Sequence, residues 1–219
     1  MNSCKKAEKS AGIAFFDLDK TLIRESSIEA ISKRFGFFRE LKKLRAKLKK
    51  GKIKDFQITL SLAEILKGRK KSEITAACKK IHLQKNAKKT IHGLKKKGFE
   101  IAIVSVAFSP VVRFFAKKFG VKIAASPMLE SDAKGIFNGK VLPKKRHSGS
   151  CCGNFICKSR EAKKLMKKLK IGRNNCIAVG DGTSDKCLFR ACGKAFALNP
   201  KVRIGGKKIR DLIEVLRFV

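Results

Sequence analysis

The stretch Ile13-Ala14-Phe15-Phe16-Asp17-Leu18-Asp19-Lys20-Thr21 decides how the rest of the chain is read. Four apolar residues of β-compatible type run into two aspartates one residue apart. Apolarity on both faces marks a central strand of a parallel sheet. Such sheets place their ligands at the carboxyl ends of the strands, here at Asp17 and Asp19. In a regular strand residues two apart point the same way. Two carboxylates held so close repel, and a cation or a shared proton has to compensate them. The stretch also reads as a strand followed by an ordinary polar turn, and a second cluster chooses between the two.

That cluster is Gly180-Asp181-Gly182-Thr183-Ser184-Asp185, following the apolar run Cys176–Val179. The chain has seven aspartates, and four of them stand at the ends of these two short strands. In a doubly wound sheet the two ends share one edge, so the carboxylates can meet. Gly180 and Gly182 permit the tight turn that aims Asp181 at the first pair. Acids so close call for a hard divalent cation with oxygen ligands, of which Mg²⁺ is the usual one.

Between the clusters, the pattern after Thr21 stays helical for about sixty residues. Ser26 or Ser27 caps a helix ended by Gly36, and Leu41, Leu44 and Leu48 form a second stripe. A third helix spans Phe56–Leu66, and a fourth opens at Ser72-Glu73. This predicts a small helical bundle, residues 24–85, inserted into a core domain of residues 1–23 plus 86–219. A helix over Asn86–Lys97 returns to the sheet. Strands follow at Ile101–Val106 and Val121–Ala125, with a hairpin of Met128–Glu130 and Ile136–Val141. Then come a helix over Lys158–Leu169, a strand at Ala195–Leu198 and a closing helix at Ile209–Leu216. Strands alternating with helices predict an α/β, Rossmann-like doubly wound parallel sheet.

Asp17-Leu18-Asp19-Lys20-Thr21, Ser105 after Ile103-Val104, Lys158, and Gly180 to Asp185 resemble the four motifs of the haloacid dehalogenase-like phosphohydrolases. The helical insertion resembles the phosphoserine phosphatase branch. The resemblance runs from about Gly12 to Pro200. It implies a Mg²⁺-dependent phosphomonoesterase acting on a small anionic metabolite. Asp17 would attack phosphorus to form an aspartyl-phosphate, and Asp19 would serve as acid and then base, with Thr21 orienting it. Ser105, Val106 and Lys158 would bind the phosphoryl oxygens, with Gly182 and Ser184 in support. Asp17, Asp181 and the Asp19 carbonyl would hold the metal, and Asp185 would reach it through water or a neighbouring ligand.

The chain also departs from the phosphoserine pattern. Ser26 stands where that branch has an acid and Leu62 where it has an arginine; Glu25 or Glu29 could replace the acid, and no arginine suggests itself. Val106-Ala107 stands for Gly-Gly, and Ser184 for asparagine. Phosphoserine is therefore not expected to be the best substrate. Small phosphatases of unassigned substrate, whose first motif reads close to Phe-Phe-Asp-Leu-Asp-Lys-Thr-Leu, resemble the chain more closely. Capture of the aspartyl-phosphate by an alcohol would make a phosphotransferase instead.

Composition adds a second hypothesis. Across 219 residues, 54 Lys+Arg against 17 Asp+Glu give a net charge of +37. Such a surface attracts nucleic acid, anionic membrane and phosphorylated metabolites alike. The alternative is thus a nucleic-acid- or anionic-membrane-binding protein on the same scaffold, with Leu41 to Lys50 as its sharpest basic amphipathic stretch. The lysines are spread through nearly every segment, which favours a solvated surface. The longest apolar runs are too short to span a bilayer, and Met1 to Gly12 has no apolar signal core. A cytoplasmic chain with reduced thiols is expected for its eight cysteines. His147, Cys151, Cys152 and Cys157 could bind zinc, but no C-x-x-C pair supports it, and unliganded thiols are the simpler expectation. His82 and His92 are read as packing or surface residues without acid partners.

Overall fold

The computed structural model describes residues 10–142 and 151–219. The strands are β1 (Gly12–Phe16), β2 (Phe99–Val104), β3 (Ile123–Ala125), β4 (Met128–Ser131), β5 (Phe137–Leu142), β6 (Cys176–Gly180), β7 (Lys194–Leu198) and β8 (Lys207–Ile209). The helices are α1 (Ser27–Arg34), α2 (Phe38–Lys49), α3 (Asp55–Ile65), α4 (Lys71–Cys78), α5 (Ala87–Lys96), α6 (Ser109–Phe119), α7 (Lys158–Leu169) and α8 (Lys186–Ala191). Six strands form one sheet in the order β3-β2-β1-β6-β7-β8, every pairing parallel. β4 and β5 make the antiparallel hairpin.

Alternate residues of the central strands face opposite sides, as the two-residue period requires. Ala14, Phe16, Ile103 and Val179 join a large core with α5 and α6. Ile13, Phe15, Val104 and Ala178 face Ala162 of α7 and Leu188 of α8. Helices thus cover both faces, which explains why β1 and β6 are apolar throughout and wholly buried.

Several elements differ from expectation. β2 ends at Val104, so Ser105 and Val106 belong to the turn beyond it. α8 had no clear sequence signal. Lys207–Ile209 is an edge strand, and the residues expected to form a closing helix instead make a 3-10 segment, Leu212–Phe218, capped by the Asp211 carboxylate accepting from Ile213 N–H.

The helices α1 to α4 follow one linker and precede another, and the two linkers lie side by side. Arg24 N–H donates to His82 O at 3.0 Å and Gln84 N–H to Leu22 O at 2.9 Å. Glu25 braces this crossing by accepting from His82 N–H and pairing with His82 Nδ1 at 2.7 Å. His82 therefore has the acid partner that sequence alone did not suggest, supplied by the opposite linker. The basic stretch on α2 is not an unpartnered amphipathic face. Leu41 is buried in the main core and Leu44 packs against it, leaving the lysines outward. Phe37 and Phe115 are core residues, and Phe114 packs edge-on against Phe115 at 5.0 Å. Among the described residues no helix is long and apolar enough to cross a membrane.

Phe115 is fully buried in the larger core. Phe115→Ala is expected to cost about 3–5 kcal/mol, the range for removing a buried aromatic ring. Urea unfolding measures it, and a loss below about 1 kcal/mol would contradict this packing.

Candidate active site

β1 delivers Asp17 to the sheet edge, where its N–H continues the ladder by donating to Val179 O at 2.9 Å. The chain then leaves the strand. Leu18 is buried and its carbonyl accepts from the N–H groups of Thr21, Leu22 and Ile23, curling the backbone so that Asp19 comes from a loop. Asp19 Oδ2 accepts from both Ser27 N–H at 3.0 Å and Ser27 Oγ–H at 3.1 Å. Thr21 does not orient Asp19: its buried hydroxyl has no hydrogen-bond partner. That role passes to Ser27, whose amide is a first-turn donor left over by α1. The pair Ser26-Ser27 signalled only a helix start in the sequence.

On the neighbouring strand, Asp185 folds back beneath the end of β6. A Cβ on Gly180 would sit 2.3 Å from Asp185 Cγ, so glycine is required there. Gly182 has open space around it and φ −133, which any residue can adopt; it contributes an amide, not its lack of a side chain. Asp185 Oδ2 accepts from the N–H groups of Asp181 and Gly182, each at 3.1 Å. Its Oδ1 accepts from Lys158 Nζ at 2.6 Å. Lys158 opens α7, is fully buried, and lies 2.7 Å from Asp17 Oδ1. That second contact is a charge contact out of hydrogen-bonding alignment, since Asp17 Oδ1 has no aligned donor.

Oxygens of Asp17, Asp181 and Asp185 all lie within 4.8 Å of one another. Burial pushes the Asp17 carboxyl up to about 7 although Lys158 pulls it down, with Asp185 and Asp19 adding to the rise. Burial likewise raises Asp19 to about 6 against its Ser27 hydrogen bonds. Asp181 is raised by burial and by Asp185. Burial would discharge Lys158, but Asp17 and Asp185 together push it the other way, so it stays an ammonium. One buried cation among these carboxylates leaves an excess of negative charge, and Asp19 Oδ1 is buried without a partner. This donor set fits a hard divalent cation.

Ser105 is buried just past β2, its Oγ accepting from Ala107 N–H at 3.2 Å. Val106 is exposed at the mouth of a cavity of about 200 Å³ that also reaches Asp19. Ser184 stands apart in the 3-10 turn, half-buried, its carbonyl facing the Cys187 thiol at 3.8 Å. The cavity walls are largely apolar, with Ile28, Ile31, Leu62 and Val111 among them. Leu62 does stand there as a wall, and Arg45 of α2 lines the same cavity. Arg45 pairs with Glu29 and has Nη2 3.5 Å from Ser26 Oγ. Asp55 and Asn154 line the same space. His147 lies outside the described residues.

Two outcomes follow from this geometry. Gly180→Ala is expected to cost about 3 kcal/mol or more, because it displaces Asp185 and strips the buried Lys158 of a partner; a variant as stable as the parent in urea would disprove the close approach. The second concerns pH. Asp17 and Asp19 rise from an ordinary 3.8 to about 7 and about 6 on folding, so the folded chain binds more protons than the unfolded one. Their contribution to stability is full below about pH 4 and lost as pH rises through 6 and 7. In EDTA, Tm is expected to fall between about pH 5 and 8, and a divalent cation should flatten that slope; a Tm rising over this interval in EDTA would refute it.

The sequence profile of the haloacid dehalogenase-like hydrolases matches residues 14–190. The phosphoserine phosphatase of Methanocaldococcus jannaschii is 28% identical over 220 residues, covering 97% of this chain and 99% of that protein. That of Streptococcus thermophilus is 28% identical over 200 residues, covering 88% of this chain and 87% of its own length. A solved substrate-bound phosphoserine phosphatase complex superposes with a TM-score of 0.80 at 27% identity, covering 97% of this chain and 100% of that one. The matched span contains both aspartate clusters, Ser105 and Lys158, and the chain belongs to the haloacid dehalogenase-like hydrolase family.

Proposed function

We propose that this chain is a Mg²⁺-dependent phosphomonoester hydrolase that works through an aspartyl-phosphate on Asp17 and acts on a small phosphorylated metabolite. The observation that carries this reading is the buried cluster in which Lys158 Nζ lies 2.7 Å from Asp17 Oδ1 and 2.6 Å from Asp185 Oδ1. The family membership and the phosphatases among its relatives point the same way. Asp17, Asp181 and the Asp19 carbonyl would hold the metal, while Asp185, with both oxygens engaged, fixes their positions. When bound, Mg²⁺ neutralises charge that develops on the phosphoryl group.

An Asp17 oxygen attacks phosphorus as the bond to the alcohol oxygen breaks. Asp19, its Oδ2 held by Ser27, protonates that leaving oxygen through Oδ1. Its raised pKa keeps a protonated fraction available near neutrality. Asp19 then takes a proton from the water that attacks the aspartyl-phosphate, and phosphate departs with Asp17 restored. Lys158, Ser105 and Val106 bind the phosphoryl oxygens, and the Gly182 amide helps hold Asp185 in place. Residues 24–85 act as the cap over this edge, and residues 1–23 plus 86–219 as the core.

The cavity above Asp19 suits an ester whose alcohol part has an apolar body and one anionic end turned to Arg45. Phosphoserine also carries an ammonium, for which Asp55 is the remaining counter-charge in the lining. We read it as a substrate, but not the preferred one.

Asp17→Asn is expected to lower turnover of p-nitrophenyl phosphate by at least about 10³-fold with the fold retained by circular dichroism. EDTA should abolish the activity and Mg²⁺ restore it. Appreciable turnover by the folded variant, or by metal-stripped protein, sinks the mechanism. Arg45→Ala tests the specificity: losing a charge-assisted hydrogen bond worth about 1.5–3 kcal/mol should raise KM about 10- to 100-fold for esters bearing a carboxylate. It should leave p-nitrophenyl phosphate nearly unchanged. A panel led by phosphoserine by a wide margin would overturn the preference for an apolar body.

A further inference from the structure

Four cysteines converge on one point behind the cavity wall. Cys151, Cys152 and Cys157 come from the loop entering α7, and Cys187 from the first turn of α8. Their sulfurs all lie within 4.8 Å of one another. Cys151 and Cys157 Sγ are 3.5 Å apart, and no disulfide joins the described cysteines. A disulfide would hold its sulfurs at about 2.05 Å. Four thiolates around one tetrahedral zinc ion, at about 2.3 Å each, have sulfurs about 3.8 Å apart. The observed spacing brackets that value, and it is too tight to surround a cluster of several iron atoms. Cys157 and Cys187 are buried, while Cys151 is exposed and Cys152 half-buried, so an ion can enter from one side. Sequence reading had three of these residues without a C-x-x-C pair; the fourth ligand comes from a helix that was itself not foreseen.

We propose that Cys151, Cys152, Cys157 and Cys187 form a structural site for one Zn²⁺ ion. Tetrahedral all-sulfur coordination is the geometry that selects this soft-accepting cation over Mg²⁺. Coordination displaces the thiol protons and involves no redox change. The site's position gives it a consequence. Cys157 directly precedes Lys158, and Cys187 follows Asp185 by two residues. Asn154, between the loop ligands, lines the cavity. Next to it, Gly153 O accepts from Phe56 N–H of the cap at 3.1 Å. The ion ties this loop to α8 and so fixes both the buried lysine and the cap-side wall.

The full chain, reduced and stripped of metal, is titrated with Zn²⁺ and separately with Co²⁺. With excess Mg²⁺ present to fill the carboxylate cluster, one equivalent should bind, and Co²⁺ should give the intense near-ultraviolet thiolate-to-metal absorption of tetrahedral sulfur ligation. Cys151→Ser, at an exposed position, should weaken Zn²⁺ at least tenfold and diminish that absorption. Asp181→Asn should leave it intact, which separates this site from the carboxylate cluster. Absence of the thiolate band, its undiminished survival in Cys151→Ser, or its loss in Asp181→Asn would overturn the proposal. So would a disulfide between any two of the four in protein alkylated at lysis.

Discussion

The structure depends on how a fully buried ammonium is compensated. Lys158 has no access to water, and its charge survives because Asp17 and Asp185 both reach it. Breaking such a buried pair typically costs about 3–5 kcal/mol, since the partner is left uncompensated. The requirement fixes three elements at once: the end of β1, the turn after β6 and the first residue of α7. It also accounts for Gly180, because only a residue without a side chain leaves room for Asp185 to fold beneath the strand. Asp185 then spends its second oxygen on two backbone amides, and this sets the direction of Asp181.

Much of this was legible in the sequence because the central strands are buried on both faces. Ile13–Phe16 and Cys176–Val179 could only be apolar, and the aspartates that end them are conspicuous in a chain so poor in acids. Lys207–Ile209 was not legible. An edge strand of three residues with two exposed lysines carries neither alternation nor apolarity. The same holds for residues placed by helix packing. Arg45 reaches the cavity because α2 lies against α1 and α3, and no local pattern around it distinguishes it from the basic residues beside it. Ser27 illustrates a third case: its signal was present but had a sufficient explanation as a helix start, so its bond to Asp19 went unseen.

The large positive charge takes on a different meaning beside this site. Locally, four carboxylates face one ammonium, and a phosphate ester approaching them would be repelled. A divalent cation removes part of that excess. The rest of the molecule carries the opposite sign, with a net charge of +37 spread over the surface. Such a field raises the local concentration of anions regardless of their identity. It acts on encounter, over roughly a Debye length, whereas the cavity acts on fit. The leucines of α2 turn inward and its lysines outward, so a single helix serves both ends: it shapes the apolar wall with Leu41 and Leu48 and contributes to the field that draws the anion in. Selectivity then has to come from the lining, because a field of one sign cannot tell one phosphate ester from another.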